Sequence, residues 1–233
     1  MDDDLGAAYR ERVARYGAEQ VPVARLREHF DRVAALTRVG FEPIKPDLYA
    51  RSVQDGIVQL AKLLSYKDGT YSLQWGVSLP WMPHQFQPKP KWHRTLKSAR
   101  MDLFEWPVTL APTPGESPNE WHVRLSHGPE HMALTFDAMW RRLGPRMNAF
   151  FERVSDGNAV LAAAQSQCAD RDESFLCHSP DPRLVLAFTA AHLADSVTAA
   201  QALDHYWNER GEYANAPKEV IAALLNDLQR ATD

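Results

Sequence analysis

The sequence predicts an α+β fold, in which an N-terminal helix packs on an antiparallel sheet and a C-terminal helical bundle follows. From about Gly40 to Leu125 apolar and polar residues alternate with the period of a strand, whereas after Thr135 apolar residues return every three to four positions. Asp55-Gly56 and Lys67-Asp68-Gly69 interrupt the alternating region where tight hairpins need a residue with positive φ. The organisation expected is a lead-in over residues 1–22, a helix plus sheet over 23–134, and a helical region over 135–233 that shares one core with the sheet.

Residues Leu5 to Gly17 are mostly polar with a weak helical period, as in a short surface helix or a lead-in segment. After Pro22, the spacing of Val23, Leu26, Phe30, Val33, Leu36 and Val39 predicts one amphipathic helix, and Gly40 stands where a C-terminal cap takes positive φ. Three strands follow, Leu48 to Val53, Ile57 to Leu64 and Tyr71 to Leu79. In the third, Tyr71, Leu73, Trp75, Val77 and Leu79 alternate with Ser72, Gln74, Gly76 and Ser78, which predicts one buried face and one polar face. Met101 to Trp106 and Trp121 to Leu125 are two further strands, separated by a proline-rich turn region from Pro112 to Pro118.

From Phe136 onward Met139, Trp140, Leu143, Met147, Phe150, Phe151 and Val154 continue a helical stripe, which Gly144-Pro145 is expected to kink or split. Helices are expected from Ala159, Arg183 and Lys218. Asp195-Ser196 divides the stretch from Leu184 to Trp207 into a helical hairpin. No second copy recurs at a fixed period, so this is not a repeat array.

The first half resembles an uncharacterised bacterial family, the domain of unknown function numbered four-three-zero-four. The resemblance rests on an amphipathic helix ending in Gly40-Phe41, an aromatic-x-Arg element at Tyr49 and Arg51, a Val58-Gln59-Leu60 strand and a Trp75-Gly76-Val77 strand, with Trp121 near the end of the sheet. It covers roughly residues 23 to 125 and implies no catalytic residue. Small α+β proteins of this type look like immunity proteins of interbacterial toxin systems, an analogy of kind rather than of site.

Composition narrows the function classes. A chain of 233 residues with 45% hydrophobic content buries a sizeable core. A net charge of −4 lacks the basic footprint that nucleic-acid binding needs. The acidic start Met1-Asp2-Asp3-Asp4 is unlike a secretory signal, and no run approaches the roughly 18 apolar residues of a membrane span, so a cytoplasmic location is expected. Cys168 and Cys177 are too few for a disulfide framework and too far apart for a C-x-x-C motif, and reduced thiols are expected.

The sharpest motif is His127-Gly128-Pro129-Glu130-His131, which satisfies the H-x-x-E-H pattern in which two His on one helical face hold zinc and the Glu acts as base. Pro129 fits only a first helical turn, which leaves His127 outside the helix; the competing reading is a strand-to-helix loop with solvated side chains. His122 lies close enough in sequence to join a metal cluster. Cys177-His178 with Cys168 and His192 shows no ligand spacing, and His192/Asp195, Asp204/Trp207 and His205/Asn208 pair as readily at a helix surface as in a catalytic dyad. Phosphate loops and nucleophile elbows are missing, so no catalytic residue and no cofactor is assigned.

The remaining feature is the run from Pro80 to Arg94, whose prolines keep it out of regular structure while it carries Trp81, His84, Phe86, Trp92 and Arg94. Trp and Arg dominate binding hot spots, so these five residues are the candidate partner contacts; the competing reading folds the loop back with its aromatics buried. The function expected is a non-enzymatic cytoplasmic protein-binding module, an immunity-type inhibitor of a bacterial toxin. The alternatives are a metal-dependent hydrolase built on His122, His127, Glu130 and His131, or a structural assembly subunit.

Overall fold

A computed structural model describes residues 21–66, 69–83, 86, 92, 95–105, 121–169, 180–210 and 217–232. The first helix, α1 (Val23–Ala34), buries Leu26, His29 and Phe30 and stops one turn earlier than its apolar spacing predicts. Ala35 takes a left-handed conformation at φ 47°, and a 3-10 turn over Leu36–Val39 closes on Gly40 at φ 86°. The tighter turn rotates Val39 out of the stripe, leaving it 55% exposed where a continuous helix would have buried it.

Five strands form an antiparallel meander, β1 (Glu42–Lys45), β2 (Leu48–Ser52), β3 (Val58–Ser65), β4 (Thr70–Ser78) and β5 (Leu103–Glu105), in spatial order β1-β2-β3-β4-β5. A sixth, β6 (Val123–Arg124), pairs with the start of β4 on the edge that β5 occupies further along. The β2–β3 turn uses Asp55 at φ 56° and Gly56 at φ 70°, and Gly69 takes φ 76° before β4, as the turn residues predict. β1 escapes the alternation rule because it is short, mostly exposed and carries Pro43 beside a register shift.

One face of the sheet, with Tyr49, Ala61, Leu63, Leu73, Trp75 and Val77, meets the helices. The opposite face is not the solvated surface expected from the serines of β4. Ser72 and Ser78 are buried there; the Ser72 hydroxyl donates to the Trp121 carbonyl (2.7 Å), and Ser78 Oγ accepts from the Arg100 N–H (3.4 Å). Leu48, Ala50, Leu60 and Ala99 form a small second core on this side, with Leu96 and Met101 packed against it. Close approach of β5 explains Gly76, where a Cβ would lie 2.5 Å from the Leu103 carbonyl oxygen. Gly76→Ala is expected to cost about 1–3 kcal/mol through overpacking, read as a shift in urea midpoint.

Arg51, Gln59 and Phe41 meet in one knot. Arg51 donates from Nε and Nη2 to Gln59 Oε1 (3.0 and 2.6 Å) and from Nη1 to the Val39 carbonyl (2.7 Å), with its guanidinium 4.6 Å from the Phe41 ring centre. Gln59 Nε2 then donates to the Phe151 carbonyl at 3.2 Å, tying the sheet to the helical half. Burial pushes the Arg51 pKa down.

The helices are α2 (Pro129–Glu152), α3 (Gly157–Ala169), α4 (Pro182–His192), α5 (Ser196–Arg210) and α6 (Lys218–Thr232). α2 is not split at Gly144-Pro145. It runs through as one helix, with the Trp140 ring seated against Gly144, where an added Cβ would stand 3.1 Å away. Leu193 to Asp195 separates α4 from α5, with Ala194 at φ 60°. A single buried cluster links Leu26 and Phe30, Trp75 and Val77, Phe136 and Met139, Leu184 and Phe188, and Ile221 and Leu224. α4 is enclosed: every residue from Pro182 to Ala191 is buried. No described helix is long and apolar enough to cross a membrane.

Candidate functional site

The described residues of the run after β4 that carry aromatic rings, Trp81, Phe86 and Trp92, lie against α4. Trp81 is only 2% exposed, its Nε1–H donates to Thr189 Oγ1 (3.0 Å), and its ring stacks on His192 at 4.3 Å and 10°. Phe86 and Trp92 are half-buried with their rings 5.7 and 6.3 Å from that of Phe188. His84 and Arg94 lie outside the described residues. Trp81 is therefore a core residue and not the partner contact expected of it, because covering the apolar surface of α4 gains more than leaving an indole in water. Trp81→Phe keeps the stack but strands the Thr189 hydroxyl, and a loss of about 1–3 kcal/mol is expected in urea denaturation.

Burial lowers the His192 pKa, and the attraction of Asp55 does not offset it. The unfolded chain takes up a proton near the ordinary value of 6.5, while the folded imidazole resists until lower pH. Stability is thus complete above that value and falls as the pH drops below it. His192→Gln should flatten this part of the pH–stability profile, measured by thermal melts across the range. Asp195, three residues on, accepts the Thr198 N–H (3.0 Å) as the cap of α5, and hydrogen bonding to the Thr198 side chain, with that to its backbone, holds its carboxyl low. It caps a helix and does not orient His192.

The H-x-x-E-H segment is bent at its centre. Leu125–His127 form a 3-10 turn, Gly128 takes φ 84°, and α2 begins at Pro129. The backbone of His127 consequently stands outside the helical turn that carries Glu130 and His131. His122 is half-buried, with its ring 5.5 Å from that of Tyr66. Among the described residues no three His, Cys, Asp or Glu converge to hold a metal ion. Cys168 is half-buried, Cys177 and His178 lie outside the described residues, and Asp204 and His205 are exposed on α5.

Geometry instead assembles a groove between α1 and the first turns of α2. Arg25, Glu28, His29 and Arg32 line one wall and Pro129, Met132 and Ala133 the other, around a volume of about 360 Å³. The exposed Leu134 follows on α2. His29, 7% exposed, bonds Asp137 Oδ1 through Nε2 (2.7 Å) and Arg32 Nη2 through Nδ1 (2.7 Å). A guanidinium can only donate, so Nδ1 accepts and Nε2 carries the proton donated to Asp137. The edge of the imidazole meets the Phe136 ring at 5.3 Å. Arg141 Nε donates to the Asp137 carbonyl (3.2 Å), bringing a third guanidinium to this end of α2. The Arg25 side chain makes no ion pair among the described residues.

One half of this site is visible in sequence, since Arg25, Glu28 and Arg32 recur at helical spacing beside the apolar stripe of α1. Nothing local announces the other half, because Asp137 lies 108 residues from His29. No family model, curated protein or solved structure matches the chain.

Proposed function

We propose that the protein is a non-enzymatic protein-binding module that seats its partner in the groove between α1 and α2. The carrying observation is the state of His29. With Nδ1 accepting from Arg32 and Nε2 donating to Asp137, the imidazole has no free nitrogen with which to relay a proton to a substrate. What the groove offers is recognition: guanidinium donors at the rim and an apolar floor of Pro129, Met132 and Ala133. An immunity-type inhibitor that occludes a toxin is the biological setting this reading favours, by analogy with small α+β binding proteins.

Arg25→Glu tests it, because Arg25 is exposed and its removal disturbs no described ion pair. Its melting curve should match the wild type, as surface changes away from buried features usually do. A partner isolated with the wild-type protein should bind this variant more weakly by about 2 kcal/mol or more in calorimetry, the scale of a hot-spot arginine. Equal affinity for both proteins would remove the groove from the interface.

A further inference from the structure

We infer that the segment seated in this groove is an acidic helix carrying two carboxylates two turns apart with an apolar residue between them; this rests on the groove being the partner site. Arg25 and Arg32 stand seven residues apart on α1, which at the rise of an α-helix separates them by about 10 Å along its axis. A partner helix laid along α1 meets that spacing with acids at i and i+7. Between them lie Glu28 on the α1 wall and the apolar wall from α2, so a carboxylate at the middle position would be repelled while Leu or Met there would cover Pro129 and Ala133, which are half-buried.

Charge favours an acidic occupant over a basic or nucleic one. The lining sets two guanidiniums, Arg25 and Arg32, against one carboxylate, Glu28; Asp137, outside the lining, already receives the His29 N–H, Arg25 has no described ion pair, and Arg32 gives His29 only one of its several donors. A phosphate backbone would meet Glu28 at the centre of the groove and a chain of net charge −4 around it.

The test uses the full-length, isotope-labelled protein and three Ala-based helical peptides that share a central Leu and carry Glu, Gln or Lys at the two flanking positions seven apart. In NMR titrations the Glu peptide should shift the Arg25 and Arg32 side-chain N–H signals and the Met132 methyl. It should bind about three- to tenfold more tightly than the Gln peptide, with the difference shrinking in salt, as expected of two partly exposed ion pairs. Arg25→Gln should erase most of that difference.

Equal binding of the Glu and Gln peptides at the groove would overturn the acidic assignment while leaving the binding-module reading in place. Tighter binding of the Lys peptide, or no groove signal moved by any peptide, would overturn it as well, and the Arg25→Glu partner measurement then decides the broader reading separately. Two other occupants would also defeat it. Groove signals that move with protein concentration alone would indicate a second copy of the chain, and signals that move when Asp2, Asp3 and Asp4 are changed to Asn would indicate the chain's own acidic start.

Discussion

Trp75→Ala is expected to lower stability by about 3–5 kcal/mol, the scale for truncating a large buried aromatic. The ring is fully buried in the centre of β4, opposite Ala61 on β3 and Glu105 on β5. Its loss empties volume that its neighbours cannot fill without shifting three paired strands. The polar cost adds to the cavity. Trp75 Nε1 donates to Glu105 Oε2 (3.2 Å), and Glu105 Oε1 accepts from Arg153 Nη2 (2.8 Å), so the same change loosens a link between the sheet and the end of α2. Urea denaturation should show a lowered midpoint. A midpoint within a few tenths of a molar of the wild type would mean that Trp75 does not anchor the sheet.

An effect of similar size is expected at Arg183, for an electrostatic reason. Arg183 is 2% exposed and Asp181 is fully buried, and the pair is bidentate: Nε to Oδ1 at 2.9 Å and Nη2 to Oδ2 at 2.8 Å. Nη1 donates to Glu209, and the guanidinium lies 5.7 Å from the centre of the Tyr206 ring. Burial pushes the Arg183 pKa down, but the hydrogen bond and charge of Asp181, with those of Glu209, outweigh it and the net shift is upward. Arg183→Met takes away the bidentate partner of the buried Asp181 carboxylate, and breaking one side of a buried pair costs about 3–5 kcal/mol. Adding Asp181→Asn removes the buried negative charge yet keeps an oxygen to cap α4, where Asp181 accepts the Arg183 N–H. The double variant should recover a measurable part of the loss in thermal melts. A double variant no more stable than Arg183→Met would show that packing, and not the charge of Asp181, sets the cost.

The parts of the fold legible in sequence are those encoded by neighbours. β4 follows from strict alternation, and β2 and β3 from apolar runs bounded by the turns at Gly56 and Gly69. Features set by distant partners were not legible. Nothing in β4 itself indicates that Ser72 and Ser78 are roofed by Trp121 and Arg100, and nothing near Gly144-Pro145 shows that α2 runs through as one helix. The prolines and aromatics of 80–94 read equally as a contact surface and as a cover. Thr189 and His192 decide for cover at Trp81, from more than 100 residues away. The groove follows the same logic: its arginines lie on one helix in plain view, but their meaning depends on α2 packing beside them.

The enclosure of α4 bears on when, during synthesis, the protein can reach its final state. A helix buried around its whole circumference has no side on which to rest in water. Its covers come from both directions along the chain: Trp81, Phe86 and Trp92 are made long before it, while Tyr206 of α5 and Ile221 and Leu224 of α6 are made after it. At translation rates of roughly 5–20 residues per second, several seconds separate the appearance of α4 from that of its last cover. Throughout that interval an uncapped Leu-Val-Leu-Ala-Phe surface is available to chaperones or to other nascent chains. α6 therefore acts as a closing step, and a variant lacking Lys218–Thr232 is expected to be held by chaperones or to aggregate even though its sheet is complete.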